Sequence, residues 1–214
     1  VPTDYNPVGA YVRDFTVPNN WNGMDIFIDF EGVESAYFVW VNGELAGYAE
    51  DSRLSSQFNI TKLLKKGKNR LAVKVFRFSD GSYLEGQDYW KYSGIERSVY
   101  LYARPQSRVK DFHMTADLIH KYKDGNLNLD IMLHQPQIGE KVEVKVLDKG
   151  QCIWINEKNI SSPNDTLFKT QNLFPNILPW NAETPNTYLL VINTFDKQGN
   201  ALESFTHPFG FRSV

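Results

Sequence analysis

Short runs of alternating apolar and polar residues, each bounded by glycine, asparagine, aspartate or proline, fill the first hundred positions, and the only helix candidate among them is a brief turn over Thr61 to Lys65. Side chains of an extended strand point alternately to opposite faces, so this pattern describes half-buried strands and leaves little beyond a sheet architecture open to the chain. Tyr11, Phe15 and Val17 alternate with Val12, Asp14 and Thr16, and Ile26, Ile28 and Phe30 with Asp25, Phe27 and Asp29. Leu71, Val73 and Val75 alternate with Ala72, Lys74 and Phe76, and a further strand over Arg97 to Ala103 puts Val99 and Leu101 on one face. Between the apolar runs Ala36 to Val41 and Glu44 to Tyr48 stands Asn42-Gly43. Both residues tolerate positive φ, which predicts a tight type I′ hairpin.

The local signals change at Arg104-Pro105-Gln106-Ser107, a proline-bearing connector, and the domain boundary is placed there. Beyond it, strands are predicted over 109–119, 127–133, 142–147, 152–155, 166–173, 188–195 and 202–211. Strands at this spacing, separated by Gly, Asn and Pro turns, suggest a small sandwich of immunoglobulin type. With 214 residues the chain suits two domains, 1–104 and 105–214. The net charge of −2 lacks the positive field that nucleic acid or an anionic membrane usually demands, and there is no run of 18 apolar residues. One cysteine, Cys152, excludes an internal disulfide and a thiolate zinc cage, and is compatible with both bacterial cytoplasm and periplasm. The chain opens on Val-Pro and closes on Gly210-Phe211-Arg212-Ser213-Val214, so we expect it to be cut from a longer protein.

The densest constellation runs from Phe76 to Tyr92, with Phe76, Phe78, Tyr83, Tyr89, Trp90 and Tyr92 around Ser79-Asp80-Gly81-Ser82 and Glu85-Gly86-Gln87-Asp88. Aromatic faces beside carboxylates and amides suit a pyranose, which has an apolar face and a rim of hydroxyls. The same rings could instead fill the sandwich core, with Asp80-Gly81 making a turn, and composition leaves both readings open. Glu85 and Asp88, three apart, could be proposed as the paired carboxylates of a glycosidase, but a binding role fits two acids on a polar loop better than acid/base chemistry. None of His113, His120, His134 and His207 pairs with a second His or an acid at metal-ligand spacing. There is no G-x-S-x-G elbow, no G-K-[ST] phosphate loop and no G-x-G-x-x-G. Lys65, Lys66, Lys68 and Arg70 around Gly67 read as a solvated hairpin tip.

Taken together, several segments resemble the sugar-binding domain of family 2 glycoside hydrolases: Asn6-Pro7-Val8-Gly9-Ala10-Tyr11, Phe30-Glu31-Gly32-Val33-Glu34-Ser35-Ala36, Trp40-Val41-Asn42-Gly43, Gly47-Tyr48, Asp51-Ser52-Arg53-Leu54 and Arg70 to Val75. The most specific stretch is Ser79-Asp80-Gly81-Ser82-Tyr83-Leu84-Glu85 with Gln87-Asp88, Trp90, Ser93-Gly94-Ile95 and Arg97, which points to the β-galactosidase branch. The second half, with Pro179-Trp180-Asn181-Ala182-Glu183-Thr184-Pro185 and Gly210-Phe211-Arg212, is similar to the immunoglobulin-like domain that follows in this family.

The resemblance implies an all-β piece, an incomplete jelly-roll β-sandwich followed by an immunoglobulin-like β-sandwich, whose first domain lacks its first strand or strands. It implies that the two catalytic glutamates, the magnesium ligands and most substrate contacts belong to a (β/α)₈ barrel outside this chain. The chain itself would then hold no cofactor and be inactive. The parent would be a homo-oligomeric retaining β-galactosidase using magnesium and sodium, and the partners of these two domains would be their own barrel and, in the intact enzyme only, a β-galactoside; neither nucleic acid nor membrane is implied. One residue carries over. Asp88 matches the aspartate that the family projects into the barrel's site to contact galactosyl hydroxyls and to help hold sodium. Gly86, Ser55 and Glu96 depart from the family pattern, where an acid, a proline and an aromatic are usual. A free-standing carbohydrate-binding module is the main alternative, and a structural spacer a third.

Overall fold

The computed structural model describes residues 4–88 and 90–213. The chain divides into two compact units, Val1–Arg104 and Pro105–Val214, each with its own apolar core.

The first unit contains β1 (Val8–Thr16), β2 (Asp25–Phe30), β3 (Val33–Glu34), β4 (Ala36–Val41), β5 (Glu44–Ala49), β6 (Ser56–Asn59), β7 (Lys68–Phe76), the single-turn helix α1 (Gly81–Leu84), β8 (Gly94–Ile95) and β9 (Val99–Arg104). A four-stranded sheet in the order β1-β7-β4-β5 and a three-stranded sheet β6-β2-β9 enclose the core, and β3 pairs with β8 beside them. The alternation read from the sequence sets the inward face: Ile26, Ile28 and Phe30 of β2, Val39 and Val41 of β4, and Val73 and Val75 of β7 are buried. Asn42 and Gly43 have φ of 55° and 90°, both positive, so the β4–β5 hairpin closes as the pair predicts.

β1 is an edge strand, with Tyr11 42% and Val12 67% exposed, beside an open cleft of about 580 Å³ lined by Tyr11, Phe15, Phe30, Val73, Val99 and Leu101 among others. One expectation needs correction. The basic run is not a hairpin tip, since β6 and β7 belong to different sheets and the segment between them is a crossover. A 3-10 turn over Thr61–Leu63 stands where the helix candidate was placed.

Asn69, 1% exposed, organises the crossover. Its Oδ1 accepts from the Lys65 N–H and from Asn42 Nδ2, both at 2.8 Å, and its Nδ2 donates to the carbonyls of Lys65 and Gly67, both at 3.0 Å. Truncation strands several enclosed polar groups at once, so Asn69→Ala should lower stability by about 2–3 kcal/mol; urea unfolding checks this, with the loss expected in the midpoint and not in the slope. Lys68 and Arg70 project outward to Asp14, at 2.8 Å each. The Arg70 hydrogen bond, and after it that of Lys68, holds the Asp14 carboxyl well below the ordinary carboxylate range.

Among the described residues the second unit has seven strands: β10 (Arg108–Ile119), β11 (Asp124–His134), β12 (Lys141–Asp148), β13 (Gln151–Asn159), β14 (Leu167–Phe174), β15 (Tyr188–Phe195) and β16 (Ala201–Phe209). They form a sheet β10-β11-β14 and a sheet β13-β12-β15-β16. The fourth strand therefore lies beside the third, whereas in a constant-type immunoglobulin domain it sits on the opposite sheet. Leu127, Leu129 and Ile131 of β11 face Val142, Val144 and Val146 of β12 and Leu190 and Ile192 of β15 in one continuous core. β13 runs four residues past the expected Ile155, because Asn156, Glu157 and Lys158 keep pairing with β12. β16 ends at Phe209, two residues early, and the chain beyond it turns to pack: the Trp180 N–H donates to the Phe211 carbonyl at 2.8 Å, and the Arg212 guanidinium lies 5.7 Å from the centre of the Trp180 ring.

Candidate functional site

The loop joining β7 to β8, residues 77–93, carries Asp88 and most of the aromatic constellation. Its start is fastened by Asn6, whose Nδ2 donates to the Phe78 carbonyl at 2.9 Å and whose Oδ1 accepts from the Phe78 N–H at 3.0 Å. The Asp80 carboxylate accepts from the Gly81 N–H at 3.2 Å, and Ser82 Oγ, within α1, reaches back to accept from the Ser79 N–H at 3.0 Å. The helix stops after one turn.

Glu85 then ties the loop to the segment after β5. Its two carboxylate oxygens accept from the Ser52 N–H at 3.2 and 3.3 Å. Glu50, on the same segment, takes a hydrogen bond from Tyr48 Oη. Burial raises its proton affinity, and the nearby carboxylates of Asp80 and Glu85 raise it further. Farther along the loop, Glu34 Oε2 accepts from the Tyr92 N–H at 3.0 Å and the Ser93 N–H at 3.3 Å. Arg53 donates from one guanidinium nitrogen to Glu96 Oε2 at 2.9 Å and from the other to the Trp90 carbonyl at 3.0 Å. Burial, then the adjoining Glu34, pushes the Glu96 carboxyl above its ordinary value, with Arg53 acting in the opposite sense.

Asp88 is exposed and makes no hydrogen bond or ion pair with a described residue. Phe76 and Phe78 are half-buried, but Tyr83, Trp90 and Tyr92 are 64%, 72% and 67% exposed, and the last two stack with ring centres 6.2 Å apart. The outer rings of the loop therefore do not fill the core; Tyr89 lies outside the described residues. Glu85 and Asp88 have different settings: one is committed to a backbone amide and the other faces solvent, as suits a binding group better than an acid/base pair. Glu34, Arg53 and Glu96 come from three separate segments, and nothing in their spacing along the chain links them. Among the described residues no three His, Cys, Asp or Glu side chains are grouped to hold a metal, and His120 pairs with Asp124 at 2.7 Å on an exposed turn.

Two family profiles divide the chain between them: "Glycosyl hydrolases family 2, sugar binding domain" matches residues 1–105 and "Glycosyl hydrolases family 2" matches residues 107–212. The chain belongs to glycosyl hydrolase family 2. Within family 2 it is 43% identical over 212 residues to a β-galactosidase of Clostridium acetobutylicum, covering 97% of this chain and 23% of that protein. A β-galactosidase of Priestia megaterium is 39% identical over 219 residues, covering 99% of this chain and 21% of that protein. The chain thus spans less than a quarter of the length of these relatives. The same fold occurs in a Bacteroides uniformis β-glucuronidase, with a TM-score of 0.84 at 20% identity over 97% of this chain and 26% of that one. A β-glycosidase from Bacteroides vulgatus gives a TM-score of 0.77 at 26% identity over 95% of this chain and 26% of that one. Every strand among the described residues of this family 2 chain belongs to the sheets above, and none forms part of a (β/α)₈ barrel.

Proposed function

We propose that the chain is the non-catalytic, sugar-binding-domain part of a retaining β-galactosidase, supporting a catalytic barrel outside these residues and lending it one carboxylate, Asp88. The identity to β-galactosidases over nearly the whole chain is the observation that supports this reading most directly. In such an enzyme two glutamates of the barrel carry out hydrolysis through a covalent galactosyl intermediate. Asp88 would accept hydrogen bonds from galactosyl hydroxyls, so that binding energy fixes the orientation of the sugar in the transition state. An exposed carboxylate without a described partner also fits a hard cation that takes oxygen ligands, as one member of a larger shell, and a bound sodium there would neutralise the carboxylate and share the sugar's oxygens. Nothing among the described residues offers a set of ligands for magnesium. The exposed Tyr83, Leu84 and Trp90, with Leu54 on the neighbouring segment, suit a loop that packs against a further domain.

An activated 2-fluorogalactoside tests the reading. Added to the longer gene product, it should lose its leaving group and leave one 2-deoxy-2-fluorogalactosyl group on a peptide outside these 214 residues; label within them would refute the non-catalytic role. The stacked, exposed Trp90 and Tyr92 favour one rival, a free-standing carbohydrate-binding module. That rival requires saturable heat on titrating galactosides into the chain alone, whereas a single carboxylate with no enclosing pocket should give none.

A further inference from the structure

We propose that Glu34, Glu96 and Arg53 form a clamp closed by a single proton shared between the two carboxyl groups, and that this clamp positions the 90–93 turn and with it the loop bearing Asp88. The geometry leaves few alternatives. Glu34 is 8% exposed, and its Oε2 takes both the Tyr92 and Ser93 amides. Arg53 reaches the Trp90 carbonyl and Glu96 Oε2 with its two nitrogens and stands 3.7 Å from Glu34 Oε2. One guanidinium thus faces two carboxyl groups. Glu96 Oε1 is enclosed and receives no hydrogen bond from a described residue, while its Oε2 and Glu34 Oε2 stand 2.9 and 3.7 Å from the same guanidinium. A proton on Glu96, donated to Glu34, satisfies the enclosed oxygen and removes the repulsion at a stroke.

The short β3–β8 ladder brings the two acids together. Glu34 is opposite Gly94 and Val33 opposite Ile95, so Glu96 follows the ladder directly, with its N–H donating to the Gly32 carbonyl at 3.1 Å. The charged groups facing Glu96 are Glu34 from β3 and Arg53 from the segment after β5; Arg97, beside it in sequence, donates to the Arg53 carbonyl at 3.3 Å. Within the clamp Glu34, Glu96 and Arg53 are positioning residues, because each acts on Asp88 through the turn.

The sign of the pH dependence follows. Burial and the adjoining Glu34 raise the Glu96 carboxyl, so folded Glu96 keeps its proton to higher pH than the opened chain does, and the clamp is strongest below the ordinary glutamate range and weakens as pH rises through the titration of Glu96. Between those limits the opening equilibrium should increase about tenfold for each pH unit.

The test is carboxyl-carbon NMR of Glu34 and Glu96 in the 214-residue chain, together with exchange protection of the Tyr92 and Ser93 amides, corrected for intrinsic pH dependence. One proton should persist above the ordinary glutamate range, and protection should fall as it leaves. Glu96→Gln, whose amide can donate to Glu34 as the shared proton does, should keep protection high and flat over the same range. Ordinary titration of both carboxyls, or a pH step that survives in Glu96→Gln, would overturn the clamp. Its consequence for substrate rests on the reading of Asp88 above: in the longer gene product Glu96→Gln should flatten whatever fall of kcat/KM accompanies loss of the Glu96 proton in the parent. Amide protection that follows Glu96 in a product without galactosidase turnover would uphold the clamp and refute that reading.

Discussion

Asp88→Ala in the longer gene product should lower kcat/KM for a simple β-galactoside by about 10- to 150-fold, the loss expected when a charged acceptor worth about 1.5–3 kcal/mol is removed from the transition state. Asp88 has no described partner and is exposed, so the substitution removes no contact that holds the first unit together. Urea unfolding of the variant should therefore match the parent, within the small effects usual for surface positions. Asp88→Asn separates two contributions. The amide keeps one acceptor oxygen but loses the charge, so a variant much more active than Ala would mean that hydrogen bonding dominates, and one equally impaired would mean that the negative charge is what the site uses. Unchanged kinetics in both would leave Asp88 an ordinary loop residue and favour the spacer reading.

The second large effect is structural. Phe211→Ala should destabilise the second unit by about 3–5 kcal/mol, a large part of the 5–15 kcal/mol that a domain of this size commands. Phe211 is 0% exposed and sits among Phe174, Tyr188 and Phe209, with ring centres at 5.5, 5.4 and 5.3 Å. Gly125 makes room for it: a Cβ there would come within 2.6 Å of the ring. The backbone on either side is fixed as well, since Trp180 donates to the Phe211 carbonyl and the Arg212 N–H to that of Ala116 at 3.1 Å. Truncation leaves a cavity that the flanking chain cannot collapse into, which places the loss at the upper end for a buried aromatic. Calorimetry of the chain should show it as a lowered midpoint for the second unit, and an unchanged midpoint would contradict the packing described.

Much of this fold is legible because the strands that form the two cores carry their buried apolar residues in runs or at alternate positions. The span of β15, Tyr188 to Phe195, is legible in full because it opens on five consecutive apolar residues, Tyr188 to Ile192, as suits a strand in the middle of its sheet. The β4–β5 hairpin was legible for a different reason, the positive φ that Asn42 and Gly43 supply. Short elements were not. β6, with the sequence Ser-Gln-Phe-Asn, holds one apolar residue, and β3 and β8 are two residues each, too short to show a period. The exposure of β1 escaped the pattern too, because alternation predicts burial only where a second layer covers the strand. At the site, Asp88 could be named only through family resemblance, since nothing in its spacing distinguishes it from Glu85. The clamp is invisible in the sequence for a physical reason: Glu34, Arg53 and Glu96 meet only after β3 and β8 have paired.

On the reading proposed above, these two domains assist a hydrolase without performing its chemistry. Turnover of a chromogenic β-galactoside should therefore be measured with the purified 214-residue chain beside the longer gene product under the same conditions. Hydrolysis is expected from the longer product and none above blank from the chain. Steady turnover by the chain alone would put the chemistry within these 214 residues and overturn that reading.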